Sequence, residues 1–333
     1  MRPWRWQHLK QNNMYNKRQS ILIALLTLFV GFGFAQEKKI KFSKGTLRIC
    51  SSQNFQIQGY DGSEVIIKSL NDKKTKGYLF SSDATTVQGF TTSKKGQNKT
   101  SIGRLTNRTK PGTVYFFKDD NKKKGLKKLG KANENSELGI YFEIEQKDGE
   151  LIFRDKKNRY NQFVMVRGGK YEVKIPNSLK LDWKTDDCTA RKSRNNNYVF
   201  YNSDASSLSN FKGEVELNTS MHNIKFVDVT GPVTVNSLGG NFNVEFIKKK
   251  PTKLYSIYSN NGSIDITLPK NSSLSLDAVG KDIYSDLDFK IVSEKEINDF
   301  GHIMQEMKLK LNSGSVKMKL NAGYGNVYLR QGK

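Results

Sequence analysis

Histidine and cysteine are scarce in this chain, three and two among 333 residues, and no pair of them lies at metal-ligand or nucleophile–base spacing. That excludes a zinc signature, a Cys-x-x-Cys redox pair and a cysteine nucleophile with a histidine nearby in sequence. Acidic residues are also short, 32 against 56 Lys and Arg, leaving a formal charge of +24. No glycine-rich phosphate loop opens a helix, because the glycines sit at the corners of a strand pattern instead. Long apolar runs are missing too: Ile21–Val30 spans ten residues, apolar except for Thr27, against the roughly twenty that cross a bilayer as a helix.

That run has a different reading. Lys17 and Arg18 precede it and Gly33-Phe34-Ala35 follow it, so 14–35 has the charged start, apolar middle and small-residue end of a secretory signal. Met14 is the candidate start, and residues 1–13 make a poor leader. Export would place the chain in the periplasm, at the outer-membrane surface or outside the cell, with no transmembrane segment after processing. Removing residues 1–35 takes away five basic and no acidic residues, lowering the formal charge to +19.

What the chain has in abundance is one pattern: Gly, any residue, apolar, any residue, apolar. It occurs at Gly213–Leu217, Gly231–Val235, Gly240–Val244, Gly262–Ile266, Gly314–Met318 and Gly325–Leu329. Alternation places each apolar pair on one face of a short strand, and glycine permits the corner before it. Gly213 to Gly231 is 18 residues and Gly231 to Gly240 is nine, with Ile224 and Phe226 midway marking a strand without its glycine. A half-turn is then about nine residues, roughly five of strand and four of corner. The expected fold is all-β, a parallel β-helix or β-solenoid, in which each inward side chain contributes about 1.5 to 3 kcal/mol once neighbouring coils cover it. An antiparallel sandwich with regular hairpins satisfies the same alternation.

The same grammar begins at Gly45-Thr-Leu47-Arg-Ile49, continues through Phe55-Gln-Ile57 and Val65-Ile-Ile67, and stops between residues 72 and 131. That stretch carries sixteen Lys or Arg and four Asp, a net +12. It reads as an insertion into one body spanning 36–333. Leu138–Ile144 turns at Lys147-Asp148-Gly149 into Leu151-Ile-Phe153, as a hairpin or one coil. Tyr171–Ile175 ends at Pro176, and Leu179–Trp183 leads into the main repeat. Ser293–Phe300 is the one predicted helix, with Ser293 and Glu296 spaced as a capping box.

Leu47-Arg-Ile49, Gly59-Tyr-Asp-Gly-Ser-Glu-Val65, Leu138-Gly-Ile140, Tyr171-Glu-Val173-Lys-Ile175-Pro176, Val229-Thr-Gly-Pro-Val233, Asn261–Pro269 and Ile283-Tyr-Ser-Asp286 follow one another in a recognisable order, and the closing Leu311-Asn-Ser-Gly-Ser and Gly325–Arg330 belong with them. Over about 45–330 this order resembles the putative-adhesin family of secreted bacterial β-solenoid domains of unknown function. It implies a bacterial envelope protein with a helical β fold, no known catalysis and no functional residues to transfer. The Lys-rich insertion is longer and more basic than that pattern requires.

Candidate site residues are few. Lys122, Lys123, Lys124, Lys127 and Lys128 form the densest charge, either a solvated loop or a contact for anionic glycan, lipid head groups or an acidic protein surface. Cys50 and Cys188 are a candidate disulfide closing a 138-residue interval, which would add about 4 to 5 kcal/mol in the loop-entropy model. Two thiols that never meet fit the sequence equally well. Catalysis on a β-helix needs carboxylates converging on one outer face, yet Glu214 and Glu216 are followed 18 residues later by Pro232 and Thr234. Glu245, Asp265, Asp282, Asp286 and Asp288 are scattered, His222 and His302 fit surface or corner roles, and lysines interrupt the calcium-like Asp119-Asp120-Asn121. No cofactor is expected, and export argues against a nucleic-acid partner. Tyr115–Lys118 and Lys253–Tyr258 interleave aromatics with lysine, a pattern that suits stacking on rings or covering a sheet. The expectation is a non-catalytic, exported adhesin or scaffolding module. A polysaccharide lyase or hydrolase and a periplasmic partner module are the alternatives.

Overall fold

The computed structural model describes residues 37–70, 77–80, 87–91, 101–105, 114–116, 135, 138–155, 163–166, 169–185, 201–299 and 301–332. Contacts divide the chain into Met1–Glu37 and Lys38–Lys333, and the fold is that of the second unit. The early strands are β1 (Glu37–Lys41), β2 (Thr46–Cys50), β3 (Asn54–Tyr60), β4 (Glu64–Ser69), β5 (Gly77–Phe80), β6 (Val87–Thr91), β7 (Ser101–Leu105) and β8 (Val114–Phe116). Next come β9 (Phe142–Lys147), β10 (Glu150–Asp155), β11 (Phe163–Val166), β12 (Lys170–Pro176), β13 (Lys180–Lys184), β14 (Tyr201–Ser209), β15 (Val215–Val227), β16 (Val233–Gly239) and β17 (Phe242–Glu245). The last are β18 (Tyr255–Ser259), β19 (Ile264–Leu268), β20 (Leu274–Gly280), β21 (Ile283–Ser285), β22 (Lys290–Asp299), β23 (His302–Leu311), β24 (Val316–Asn321) and β25 (Val327–Gln331). Twenty strands share one mixed sheet, and β5, β8 and β11 form a second small sheet beside the pair β6–β7.

Two parallel ladders run through the large sheet. The first stacks β10, β2, β13, the first half of β15, β16, β18, β24 and β20, and it aligns Leu151, Leu47, Leu181, Val215, Val233, Tyr255, Met318 and Leu276 in one inward column. The second stacks β12, β3, β14, the second half of β15, β17, β19 and β25, aligning Val173, Ile57, Leu208, Phe226, Val244, Ile266 and Leu329. All these side chains are buried, because each would otherwise present a bare apolar face to water. Val215 opposes Val233 and Ile224 opposes Phe242, so the 18-residue period read from the glycines is a true register. At the N-terminal end Phe55, Phe142, Phe153 and Tyr171 pack as an aromatic cluster, with centroids 4.9 to 5.6 Å apart.

The order of rungs is not the order of the chain. β24 inserts between β18 and β20, and β25 between β19 and β21, so the last two strands lie inside the two ladders. Likewise β2 lies between β10 and β13. Antiparallel pairs finish the ladders: β9–β10, β4–β12 and β22–β23. Asp148 (φ 50°) and Gly149 (φ 77°) both adopt the left-handed region, which makes Lys147–Glu150 a tight hairpin turn and resolves the hairpin-or-coil alternative.

The expected helix at Ser293–Phe300 is a correction. The segment up to Asp299 belongs to β22, paired antiparallel with β23 through a bulge between Ile291 and Ser293. A Ser-x-x-Glu spacing is a local signal, and here hydrogen bonding to a neighbouring strand outweighs it.

Corners bring backbones into contact. A Cβ on Gly231 would sit 1.9 Å from the Gly213 carbonyl oxygen, and one on Gly262 would sit 1.8 Å from that of Gly240. One corner line is also polar inside: Ser237 Oγ donates to the Ser220 carbonyl (3.3 Å) and Thr185 Oγ1 to Thr219 Oγ1 (2.9 Å). His222 is buried there, and desolvation pushes its pKa down to about 4, opposed only in part by the Ser52 backbone. Nearby Asp155 accepts hydrogen bonds from Ser51, Ser52 and Gln53, yet burial raises its pKa.

Two outcomes follow. Gly262→Ala should lower stability by about 1 to 3 kcal/mol through overpacking, whereas Gly301→Ala, with φ 82° and open space around it, should cost about 1 kcal/mol from backbone strain alone. Urea midpoints of the two variants check the ranking. His222 binds its proton more weakly in the folded chain than in the unfolded chain, so its contribution is full above pH about 6.5 and is lost as pH falls to about 4. The loss is at most about 3 kcal/mol. Urea unfolding of wild type and His222→Asn across that window should show the larger acid loss in wild type. Taking the difference removes the part due to Asp155.

Candidate functional site

One outward row crosses the first ladder near its end, and strand register alone assembles it. Asn218 opposes Asn236, Asn236 opposes Tyr258, Tyr258 opposes Asn321, Asn321 opposes Val279, and Val279 opposes Glu306. Tyr258 and Asn321 are neighbours only because β24 slots in beside β18. The far part of this row is the floor of a groove of about 380 Å³, walled by Ile297, Asp299 and Met304 of the β22–β23 hairpin and by the corner residues Asn260, Gly323 and Tyr324. That volume falls within the range of small-molecule sites.

The hairpin is tied to the corner. Tyr324 donates its hydroxyl to Asp299 Oδ2 at 3.0 Å, and its ring meets His302 with centroids 4.9 Å apart. The Asp299 hydrogen bond raises the pKa of Tyr324, so its hydroxyl stays a donor at neutral pH. Tyr258 is 43% exposed and its hydroxyl lies 3.5 Å from Asn260 Oδ1. Glu306 pairs with Lys295 at 2.9 Å. Asn321 Oδ1 accepts from the Gly323 amide, which leaves its amide nitrogen to face outward partners. The groove thus combines two tyrosine rings, two amides and two carboxylates above an apolar patch of Val279, Ile297 and Met304. Such a set can stack a ring and exchange hydrogen bonds with several hydroxyls.

A second exposed aromatic feature lies on the other ladder. Tyr284 and Tyr328 stack with centroids 5.4 Å apart, and Arg330 lies over Tyr328 while its Nε bonds Asp265 at 2.9 Å.

The residues named from sequence are dispersed. Lys122, Lys123, Lys124, Lys127, Lys128 and the Asp119–Asn121 stretch lie outside the described residues, as do Cys188 and the side chains at Tyr115–Lys118. Cys50 is buried at the end of β2, and no cysteine among the described residues is free. In the Lys253–Tyr258 stretch, Tyr255 is core and gives its hydroxyl to the Val229 carbonyl, while Tyr258 lines the groove. His222 is a buried corner residue and His302 an exposed one at the groove's rim.

Of the carboxylates named from sequence, Glu214 and Glu216 are held by Lys180 (2.9 and 3.6 Å), Glu245 by Lys225 (2.8 Å) and Asp265 by Arg330, while Asp286 accepts the Gln331 amide at 2.6 Å. Among the described residues no group of three metal-ligating side chains occurs, and no helix is long and apolar enough to cross a membrane. Sequence reasoning missed Asn260, Asp299, Glu306, Asn321 and Tyr324. The signal for them was register, which becomes readable only once β24 is known to lie between β18 and β20.

No family model matches the chain, and no curated protein does. The resemblance to the putative-adhesin family therefore rests on the residues quoted for it. Among solved structures the chain is similar to a "putative cell adhesion protein" of Clostridium sporogenes, at 12% identity over 89% of this chain and 99% of that one, with a TM-score of 0.30. A likeness that distant carries no argument for this chain's fold or role.

Proposed function

We infer that the chain is a non-catalytic, exported module of the bacterial cell envelope that binds glycan, an adhesin-type role. Its two parallel ladders are read as walls of a β-solenoid, with inward columns as core and corners as display positions. The observation that carries the binding reading is the Tyr258–Tyr324 groove. Two aromatic rings give a stacking surface, Asn260 and Asn321 supply amides, and Asp299 and Glu306 supply acceptors. Carboxylates repel an anionic ligand, so this groove fits an uncharged sugar ring. Anionic ligands belong, on this reading, to the lysines of the insertion.

Binding by the mature chain to neutral and to uronate-containing polysaccharides, measured by calorimetry, is the test. Neutral glycan should be retained. Tyr258→Ala and Tyr324→Ala should each weaken it about tenfold, as the loss of an aromatic anchor does, with an unchanged urea midpoint. Equal affinity of wild type and both variants would remove the groove from the reading. New reducing ends appearing in the mixture would replace a binder by a hydrolase.

A further inference from the structure

The coil from Val233 to Tyr255 is 22 residues long, four more than the coil from Val215 to Val233. The extra length falls in the corner between β17 and β18, in Ile247-Lys-Lys-Lys-Pro-Thr-Lys-Leu254. A corner of that fold does not need these residues, since the preceding one turns without them. They are also chemically uniform: four lysines, no carboxylate, and two large aliphatic side chains turned out to solvent, Ile247 at 64% and Leu254 at 44% exposure.

The loop is held in place. The buried Asp228 carboxylate accepts the backbone amides of Ile247 (2.9 Å), Lys248 (3.0 Å) and Lys249 (3.1 Å). Asp228 itself adopts the left-handed region, with φ 53°. Pro251 is buried, and Thr252 Oγ1 donates to the Thr230 carbonyl at 3.0 Å. Backbone order is therefore already established, and the lysines and aliphatics project from a rigid turn. The next corner adds charge of the same sign, since Lys270 is exposed there and Lys250 reaches the Asn271 carbonyl. Lys212, two corners the other way, is paired with Asp61 at 3.0 Å.

Lysines alone would fit any polyanion. Apolar side chains standing beside them on one fixed loop suit a partner that offers negative charge above a greasy layer, as the surface of an anionic lipid bilayer does. We propose that the Ile247–Leu254 loop docks the protein onto an anionic membrane surface, lysines on head groups and Ile247 and Leu254 inserted between them. The proposal is independent of the groove, which belongs to a different corner line.

Co-sedimentation of the mature chain with vesicles tests it, using phosphatidylcholine alone and phosphatidylcholine containing about one-third phosphatidylglycerol. Binding should require the anionic lipid and weaken between about 0.1 M and 1 M salt, as the screening length shrinks. Replacing Lys248, Lys249 and Lys253 together by Gln should reduce it about a hundredfold, at about fivefold per lysine. Lys253→Gln alone should cost about fivefold. Ile247→Ser with Leu254→Ser should reduce binding about tenfold to vesicles while leaving retention on a soluble anionic polysaccharide unchanged. Tyr258→Ala should leave vesicle binding intact. Equal binding to phosphatidylcholine alone, or wild-type binding by the triple Gln variant, would overturn the proposal and assign any attraction to the other lysines. Wild-type vesicle binding by the Ile247 and Leu254 variant would also overturn it, reducing the loop to a general polyanion contact.

Discussion

Parallel registration of inward side chains is the constraint on which the rest of this molecule depends. A strand of five residues buries two or three side chains, far too few to offset the ordering of its backbone. Each rung becomes stable only when its column continues above and below, as Leu47, Leu181, Val215 and Val233 do. Corners must then superpose as well, which is why Gly231 and Gly262 lie against the carbonyls of the corner before. The ends must be closed, since an open parallel edge would pair with anything. Antiparallel hairpins do that at β9–β10 and β22–β23, and interleaving places the early strand β2 and the last strand β25 between others.

Much of this was legible in the sequence, and the boundary has a physical origin. Alternation after glycine identified β15, β16, β17, β19, β24 and β25, and the 18-residue interval reappears as the register between Val215 and Val233. Alternation says which face is buried; it is silent on which strand lies next door. The intercalation of β24 and β25 was therefore invisible, and so was the groove it creates, because Tyr258 and Asn321 lie 63 positions apart. Ser293–Phe300 failed for a related reason. Its capping pattern is a property of four residues, whereas its strand state is set by β23, which follows across the Gly301 turn. The surface-or-corner reading of His222 misses its burial, since nothing local distinguishes a corner that packs inward from one that faces water.

The two corner lines differ in kind. One carries Ser, Asn and Tyr, with the Ser237 hydroxyl bonded to the Ser220 carbonyl and the tyrosine groove at its end. The other carries lysine after lysine, at positions 212, 248, 249, 250, 253 and 270, with Asp61 as the exposed carboxylate among them. The separation keeps carboxylates of the groove away from the basic loop.

Corners are also where such a fold can change without cost to its core. Four residues were added between β17 and β18, and the flanking columns did not move out of register: Val233 still opposes Tyr255 and Phe242 still opposes Ile264. The added chain satisfies its own amides on Asp228 and therefore draws nothing from the ladders. Inward positions have no such freedom, because a change at one rung is felt by the rungs on both sides. Function in this architecture is thus expected where the backbone leaves a ladder, and both the groove and the lysine loop lie at such places.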